Sequence, residues 1–535
     1  MLSAYLFYPS FCTIFRIPIF NLFFFSKIFP NRVSTKKSPL LYLLEGQEKR
    51  YAPGQETQSP ASPPKNRNKK NYCKNRRTTM TNTNIAYTNK PVPMNHLICG
   101  KNAYYSKDAY TTWNNNNIMV VGTSGCGKTR CMVEPAIIQA DCSYVISDPK
   151  GKLYRSYEPY LRSRGYKVIK MDFIHPEKSV HYNPILGCKT SQDVQKLAHA
   201  LTYSLSERKG GSKTVDPFWD QATLILLNAI IGYMMEEDRI ADSEKTISMI
   251  SGLINESAGE MKNGGRESAL KSRMEEHNAW MTLFKGKPSW AYKRFLEFDM
   301  APDRTHNTID LTALCKLATF DTEEIRTMLS SNEVDFNSLG REKVAVFVEV
   351  SDSDRSMDVL VNLFYTQMMN SLCSYADEEC ADSRLPVPVS FILDDFATNA
   401  RIDNFENMIS NIRSRNISAM IMVQSEAQLQ IGYGVAAETI VNNCSTYIYL
   451  GGTDPEMAKR MSVRVNKLAS SILSMPNNMS YVCRRGQEPI YCEHFDIDWF
   501  KKEMGIEDGK PWKWASQKHL PDNAGWGGTE KDSIG

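Results

Sequence analysis

Three short segments carry the residue types from which phosphate chemistry is built. The first is Gly122-Thr123-Ser124-Gly125-Cys126-Gly127-Lys128-Thr129, with the spacing G-x-x-x-x-G-K-[ST]. Glycines at 122, 125 and 127 let the backbone turn so that successive N–H groups face one phosphate group. Lys128 can reach the β- and γ-phosphates of ATP, and the Thr129 hydroxyl can ligate Mg²⁺. The second segment is the apolar run 387–393, which ends in Asp394-Asp395. Asp394, read as lying on a strand beside that of the glycine-rich loop, can hold the Mg²⁺ water shell. Asp395 can then orient or activate the attacking water. The third is the run 417–423, which ends in Gln424-Ser425. Gln424 can sense the γ-phosphate or hold the water; the alternative is that Ser425 caps a helix and Gln424 is merely exposed. Arg413 and Arg415 lie just before this run. Either can be an arginine finger toward a neighbouring subunit's nucleotide, and a surface or ion-pair role is the equal alternative.

These residues need a frame that brings strand ends together. An apolar strand pattern at 117–121 precedes the loop and a helical pattern at 130–140 follows it, the setting that gives the spacing its meaning. Pro135 falls near that helix's second turn and should kink it or leave a carbonyl free. Strand and helix then alternate: strand 143–147, helix near 151–164, strand 167–171. The pattern resumes with strand 343–350, helix 355–376, strand 388–394, helix 402–413, strand 417–423, helix 425–443 and strand 445–450. Such alternation predicts a mostly parallel sheet flanked by helices, an α/β fold with ligand beyond the carboxyl ends of the strands. Between 190 and 340 strand signals nearly vanish. Helical patterns at Phe218–Glu237, Glu244–Ile254, Glu267–Phe284 and Asp303–Leu317 predict an inserted all-α domain, with turns at Gly210-Gly211 and Gly264-Gly265. The nucleotide-binding domain is thus expected in two parts, 81–189 and 341–465, with a carboxyl-terminal extension and tail at 466–535.

The chain has 535 residues, of which 42% are hydrophobic and 23% charged, enough to bury real cores. Its formal charge of +4 is unevenly spread. Residues 1–80 carry 14 Lys and Arg against three Asp and Glu, a net +11 that leaves −7 on the rest. Residues 1–28 are apolar but broken by Arg16, Pro9 and Pro18. Three readings of this leader stand: an imperfect membrane anchor, an interfacial segment, or an extension upstream of a true start at Met80. The 13 cysteines form no CxxC pair and imply reduced thiols, and no His or Cys spacing suggests zinc.

Together the motifs resemble the type IV secretion coupling proteins, the TraG/TraD-type ATPases of conjugation, within the FtsK/HerA-like RecA-fold translocases. Beyond the glycine-rich loop, the likeness rests on Asp148-Pro149-Lys150-Gly151, Tyr182-Asn183-Pro184-Ile185, Asp216-Pro217-Phe218-Trp219, Leu393-Asp394-Asp395-Phe396 and Val423-Gln424-Ser425. Two positions depart from the family. Asp395 stands where Glu is usual, one methylene shorter, and Lys152 stands where an acid is frequent. The resemblance implies a RecA-like P-loop NTPase that assembles as a homo-hexamer. It would couple ATP hydrolysis to moving single-stranded DNA with its relaxase into a secretion channel. It further implies the cytoplasmic face of the membrane, reached through the leader or a partner protein. In that family the inserted domain handles DNA or transferred substrates, so Lys271, Arg273, Lys285, Lys287, Lys293 and Arg294 are candidate phosphate contacts, or simply a solvated face. Two rivals stand beside it: a duplex-DNA pump of the FtsK/HerA type, and an adaptor that binds ATP with little hydrolysis.

Overall fold

The computed structural model describes residues 95–203, 217–257, 259–262, 265–351, 353–397 and 401–506. The leader, Gly210-Gly211, Gly264 and the tail beyond 506 lie outside them. The strands in chain order are β1 (His96–Gly100), β2 (Ala103–Ser106), β3 (Ile118–Val121), β4 (Ser143–Ser147), β5 (Lys167–Asp172), β6 (Gly259–Lys262) and β7 (Gly265–Ser268). They continue with β8 (Val344–Glu349), β9 (Val389–Leu393), β10 (Ile417–Val423), β11 (Thr446–Tyr449), β12 (Met479–Arg484) and β13 (Ile490–Glu493).

Nine strands form one sheet in the order β13-β12-β11-β3-β10-β9-β4-β8-β5. All pairs from β11 to β5 are parallel, and β12 and β13 extend the sheet antiparallel. Strands β3, β4 and β8 are buried at every position. That is what a parallel sheet covered on both faces requires, and it explains their largely apolar composition. Alternate residues feed two cores: Met119, Val121, Val145 and Val346 on one face, Ile118, Val120, Ile146 and Phe347 on the other.

One strand relation differs from the sequence reading. β9, which ends just before Asp394, is not beside β3; β10 lies between them. The tips still align, because Val423 pairs with Val121 and Ile421 with Leu393. Helix 425–443 is also two helices, Glu426–Tyr433 and Ala436–Asn442, interrupted by Gly434 at φ +55°. A glycine in the left-handed region ends a helix at little steric cost.

The inserted region is helical except for one hairpin, β6 with β7, which the sequence reading missed. It converts the start of the expected helix at Glu267 into strand, and that helix runs Ala269–Trp280 behind the Ser268 cap. The helix Pro217–Glu236 is apolar around nearly its whole circumference and is accordingly buried. Gly232 lets the Trp290 ring pack close against it, since a Cβ there would lie 2.8 Å from that ring.

His277 ties these helices together. It has no exposed surface, its Nδ1 lies 3.0 Å from Glu237 and its Nε2 lies 3.4 Å from Glu236. Glu236 also accepts from Ser289 Oγ and the Trp290 amide, and Arg239 grips Glu237 through two nitrogens. The rings of Tyr233 and Trp280 complete the surroundings. Burial pulls the imidazole pKa down, but the two carboxylates outweigh it and leave it raised. A raised folded-state pKa means that the protonated ring stabilises. The contribution is complete below the unfolded value of about 6.5 and is lost as pH rises through the folded value. The urea midpoint of the wild type should therefore fall more between about pH 6 and pH 9 than that of His277→Gln. Parallel pH profiles for the two proteins would refute the assignment.

Candidate nucleotide site

The glycine-rich loop leaves the end of β3 and is laced to both neighbouring strands. The Gly122 amide donates to Val423 O of β10 at 3.2 Å, and the Thr123 amide donates to Gly451 O after β11 at 3.3 Å. Gly125 and Gly127 adopt φ +81° and +89°, the region that side chains disfavour. Gly122 is needed for space instead, because a Cβ there would sit 2.5 Å from Cys126 Sγ. Lys128 is buried, and its ammonium donates to Gly122 O at 2.8 Å and Thr123 O at 3.3 Å. Two of its three donors thus hold the ammonium against the loop.

The chain after the loop opens with a π turn, Thr129–Val133, and becomes α-helical only at Glu134. The Glu134 amide reaches Thr129 O, so Pro135 enters at the start of a fresh helical segment. There its missing N–H costs little. The irregularity expected at Pro135 is resolved in this wider turn.

Thr129 Oγ1 donates to Asp394 Oδ2 at 2.7 Å, joining two segments far apart in sequence. Asp394 is buried, and Ser147 Oγ from the end of β4 reaches its carbonyl at 3.4 Å. Burial raises the Asp394 pKa; the Thr129 hydroxyl opposes this, the neighbouring Asp395 charge adds to it, and Lys128 lowers it. A buried carboxylate beside a hydroxyl, crowded by a second carboxylate, is a hard oxygen donor pair whose charge a divalent cation would offset. These residues fit Mg²⁺. Asp395 is half-buried with φ +49°, and its amide donates to Asp394 Oδ1 at 3.0 Å.

Gln424 follows β10 at the same edge and is partly exposed, its backbone amide donating to Gln428 Oε1 at 3.3 Å. Ser425 caps the next helix through the Gln428 amide. Gln424 thus stands at the shared edge while Ser425 takes the capping role. Arg413 and Arg415 are not brought there. They precede β10, at the amino-terminal edge of the sheet. Arg415 grips Asp377 with two nitrogens at 2.9 and 2.7 Å, and Arg413 donates to Ala109 O at 3.1 Å.

Asp148 of the Asp-Pro-Lys-Gly segment is buried and accepts from the Lys152 and Tyr154 amides, capping the helix Lys152–Ser163. Four of the basic residues singled out in the insertion are ion-paired: Lys271 with Asp299, Arg273 with Glu256, Lys285 with Asp238 and Arg294 with Glu297. That pairing removes most of the uncompensated charge a phosphate contact would need.

Sequence reasoning overlooked two supports. Glu426 is buried and receives Tyr447 OH at 2.8 Å and Arg460 at 2.6 Å, tying the Gln424 turn to later elements. Glu134, behind the loop, receives Tyr157 OH at 2.6 Å and Lys501 at 2.7 Å, the latter from the helix Ile497–Glu503. Arg130 pairs with Asp498 of that same helix. The carboxyl-terminal extension is therefore part of the frame behind the loop. Pairs this distant leave no local signal in a sequence.

A family model described as "Type IV secretory system Conjugative DNA transfer" matches residues 64–470. No curated protein matches by sequence. Among solved structures, the chain is similar to the bacterial conjugative coupling protein TrwBdeltaN70 in its sulphate complex, at TM-score 0.54 and 14% identity. That match covers 76% of this chain and 90% of the other. It is likewise similar to the plasmid coupling protein TrwB in complex with the non-hydrolysable ATP analogue ADPNP, at TM-score 0.53 and 12% identity over the same shares. At such identities the likeness is one of fold, a RecA-like P-loop arrangement of mostly parallel sheet and flanking helices with a helical insertion.

Proposed function

This chain belongs to the type IV secretory system conjugative DNA transfer family, and from that premise we propose that it is a P-loop ATPase driving single-stranded DNA with its bound relaxase into a secretion channel. The observation that carries the ATPase reading is the Thr129–Asp394 contact at the strand tips, beside a loop held open by Gly125 and Gly127. Loop amides and Lys128 would bind and orient the phosphates. Thr129 and Asp394 would hold Mg²⁺, which when bound supplies charge neutralisation between the β- and γ-phosphates. Asp395 would accept a proton from the attacking water, and Gln424 would position that water. The relative solved with ADPNP has the same fold. Homo-hexamer assembly, with hydrolysis moving loops along DNA, is the working form we propose. We place the protein at the cytoplasmic face of the membrane; no helix among the described residues is long and apolar enough to cross one.

Purified full chain should hydrolyse ATP faster with single-stranded DNA than without it. Stimulation by duplex alone would move the reading to a duplex pump. Absence of turnover under every condition would move it to an ATP-binding adaptor.

A further inference from the structure

Two large aromatic side chains stand in solvent at the edge of the sheet opposite the glycine-rich loop. Tyr110 is 67% exposed and Trp113 is 79% exposed. Tyr110 lies in the short helical turn Ala109–Thr112, which Asp108 caps through the Tyr110 amide, and Trp113 ends that turn at φ +57°. A tryptophan held in the left-handed region with its ring in water is uncommon on both counts. Neither ring is explained by the core or by the ATP site.

Two guanidinium groups lie against this turn, and the backbone of a third arginine lies close by. Arg384 lies over the Tyr110 ring at 5.0 Å from its centroid. Arg413, exposed, donates to Ala109 O within the same turn. Arg485, also exposed, offers its carbonyl to Asn114 at 3.4 Å. Register places these at one edge: Thr446 pairs with both Ile118 and Arg484, and Arg384 and Arg413 precede β9 and β10. Two of the nearby acids are engaged. Asp377 is paired with Arg415, and Asp108 spends one oxygen on its cap and lies near Arg384.

We propose that Tyr110, Trp113, Arg384 and Arg413 form a stacking platform for single-stranded nucleic acid, separate from the ATP site. Bases stack on the two rings and guanidinium groups meet phosphates, the combination that holds single strands without reading sequence. An anionic lipid surface is the other occupant with aromatic and basic tastes. The neighbours Thr111, Thr112, Asn114 and Asn115 are polar, with no exposed aliphatic residue beside them, and that favours the strand. The proposal relies on the coupling-protein reading for its partner class.

The test is binding of a fluorescein-labelled oligothymidylate to the full chain, followed by anisotropy across a salt series. Trp113→Asn suits the backbone, because Asn tolerates the left-handed region. It should weaken binding on the order of tenfold or more, while Trp113→Phe retains most of it. Arg413→Gln should flatten the dependence of log affinity on log salt by about 0.7. ATP turnover without DNA should be unchanged in Trp113→Asn. Equal oligonucleotide binding by wild type and Trp113→Asn would overturn the platform alone. So would a Trp113→Asn defect seen on phosphatidylcholine–phosphatidylglycerol vesicles but not on the oligonucleotide. A wild type that binds no oligonucleotide would overturn both the platform and the DNA reading.

Discussion

Lys128→Ala should lower ATP turnover on the order of 10²- to 10³-fold, the size expected when one preorganised charge is removed from a reacting phosphate. The loss should appear in kcat as well as in nucleotide affinity, because the charge on the transferring group is spread and an ammonium beside it acts most strongly there. Stability should change little. The Lys128 ammonium meets only the carbonyls of Gly122 and Thr123 and makes no ion pair among the described residues. Its removal takes a buried charge away along with two hydrogen bonds, and those terms oppose each other. Turnover by steady-state phosphate release and a thermal melt on the same preparation check both halves. Turnover that survives the substitution would remove the glycine-rich loop from the mechanism. A collapsed melt would show that Lys128 is chiefly structural.

Much of this site was legible because each part is written locally. The spacing from Gly122 to Thr129 specifies a loop, and the apolar runs ending at Asp394 and Gln424 specify strand tips. The order of strands was not legible. Nothing in the residues of β9 or β10 says which sits beside β3, since both are mostly apolar, mostly buried and interrupted by a single half-buried serine at the same position. Hence Asp394 was placed one strand too close, although its reach to Thr129 survives the extra strand. The fate of the arginines was equally closed to local reading. Arg415 is committed to Asp377, 38 residues away, and only the packed helix Asp358–Glu379 makes that partner available. The hairpin β6–β7 was missed because two four-residue strands beside a long helical pattern lack the length that periodicity needs.

Asp395→Asn is the second substitution with a large expected effect. General-base removal costs on the order of 10² to 10⁴ in rate, and Asn keeps the shape of the side chain without its basicity. The backbone makes this exchange clean. Position 395 sits at φ +49°, where Asp and Asn are among the few non-glycine residues that rest without much strain. The amide that donates to Asp394 Oδ1 is likewise retained. Turnover should therefore drop while ATP affinity and melting temperature hold, and a fluorescent nucleotide titration beside the kinetic assay reads the separation. Asp395→Glu tests the same position from the other side. It restores the family's residue and lengthens the reach by one methylene, but it puts a longer chain into a left-handed backbone that Asp tolerates better. If the shorter carboxylate limits hydrolysis, the Glu variant should turn over faster than wild type despite a lower melting temperature. If the left-handed turn exists to seat Asp, it should turn over more slowly. Unchanged turnover in Asp395→Asn would exclude Asp395 as the base and shift the proton's acceptor to Gln424's neighbourhood or to a second subunit.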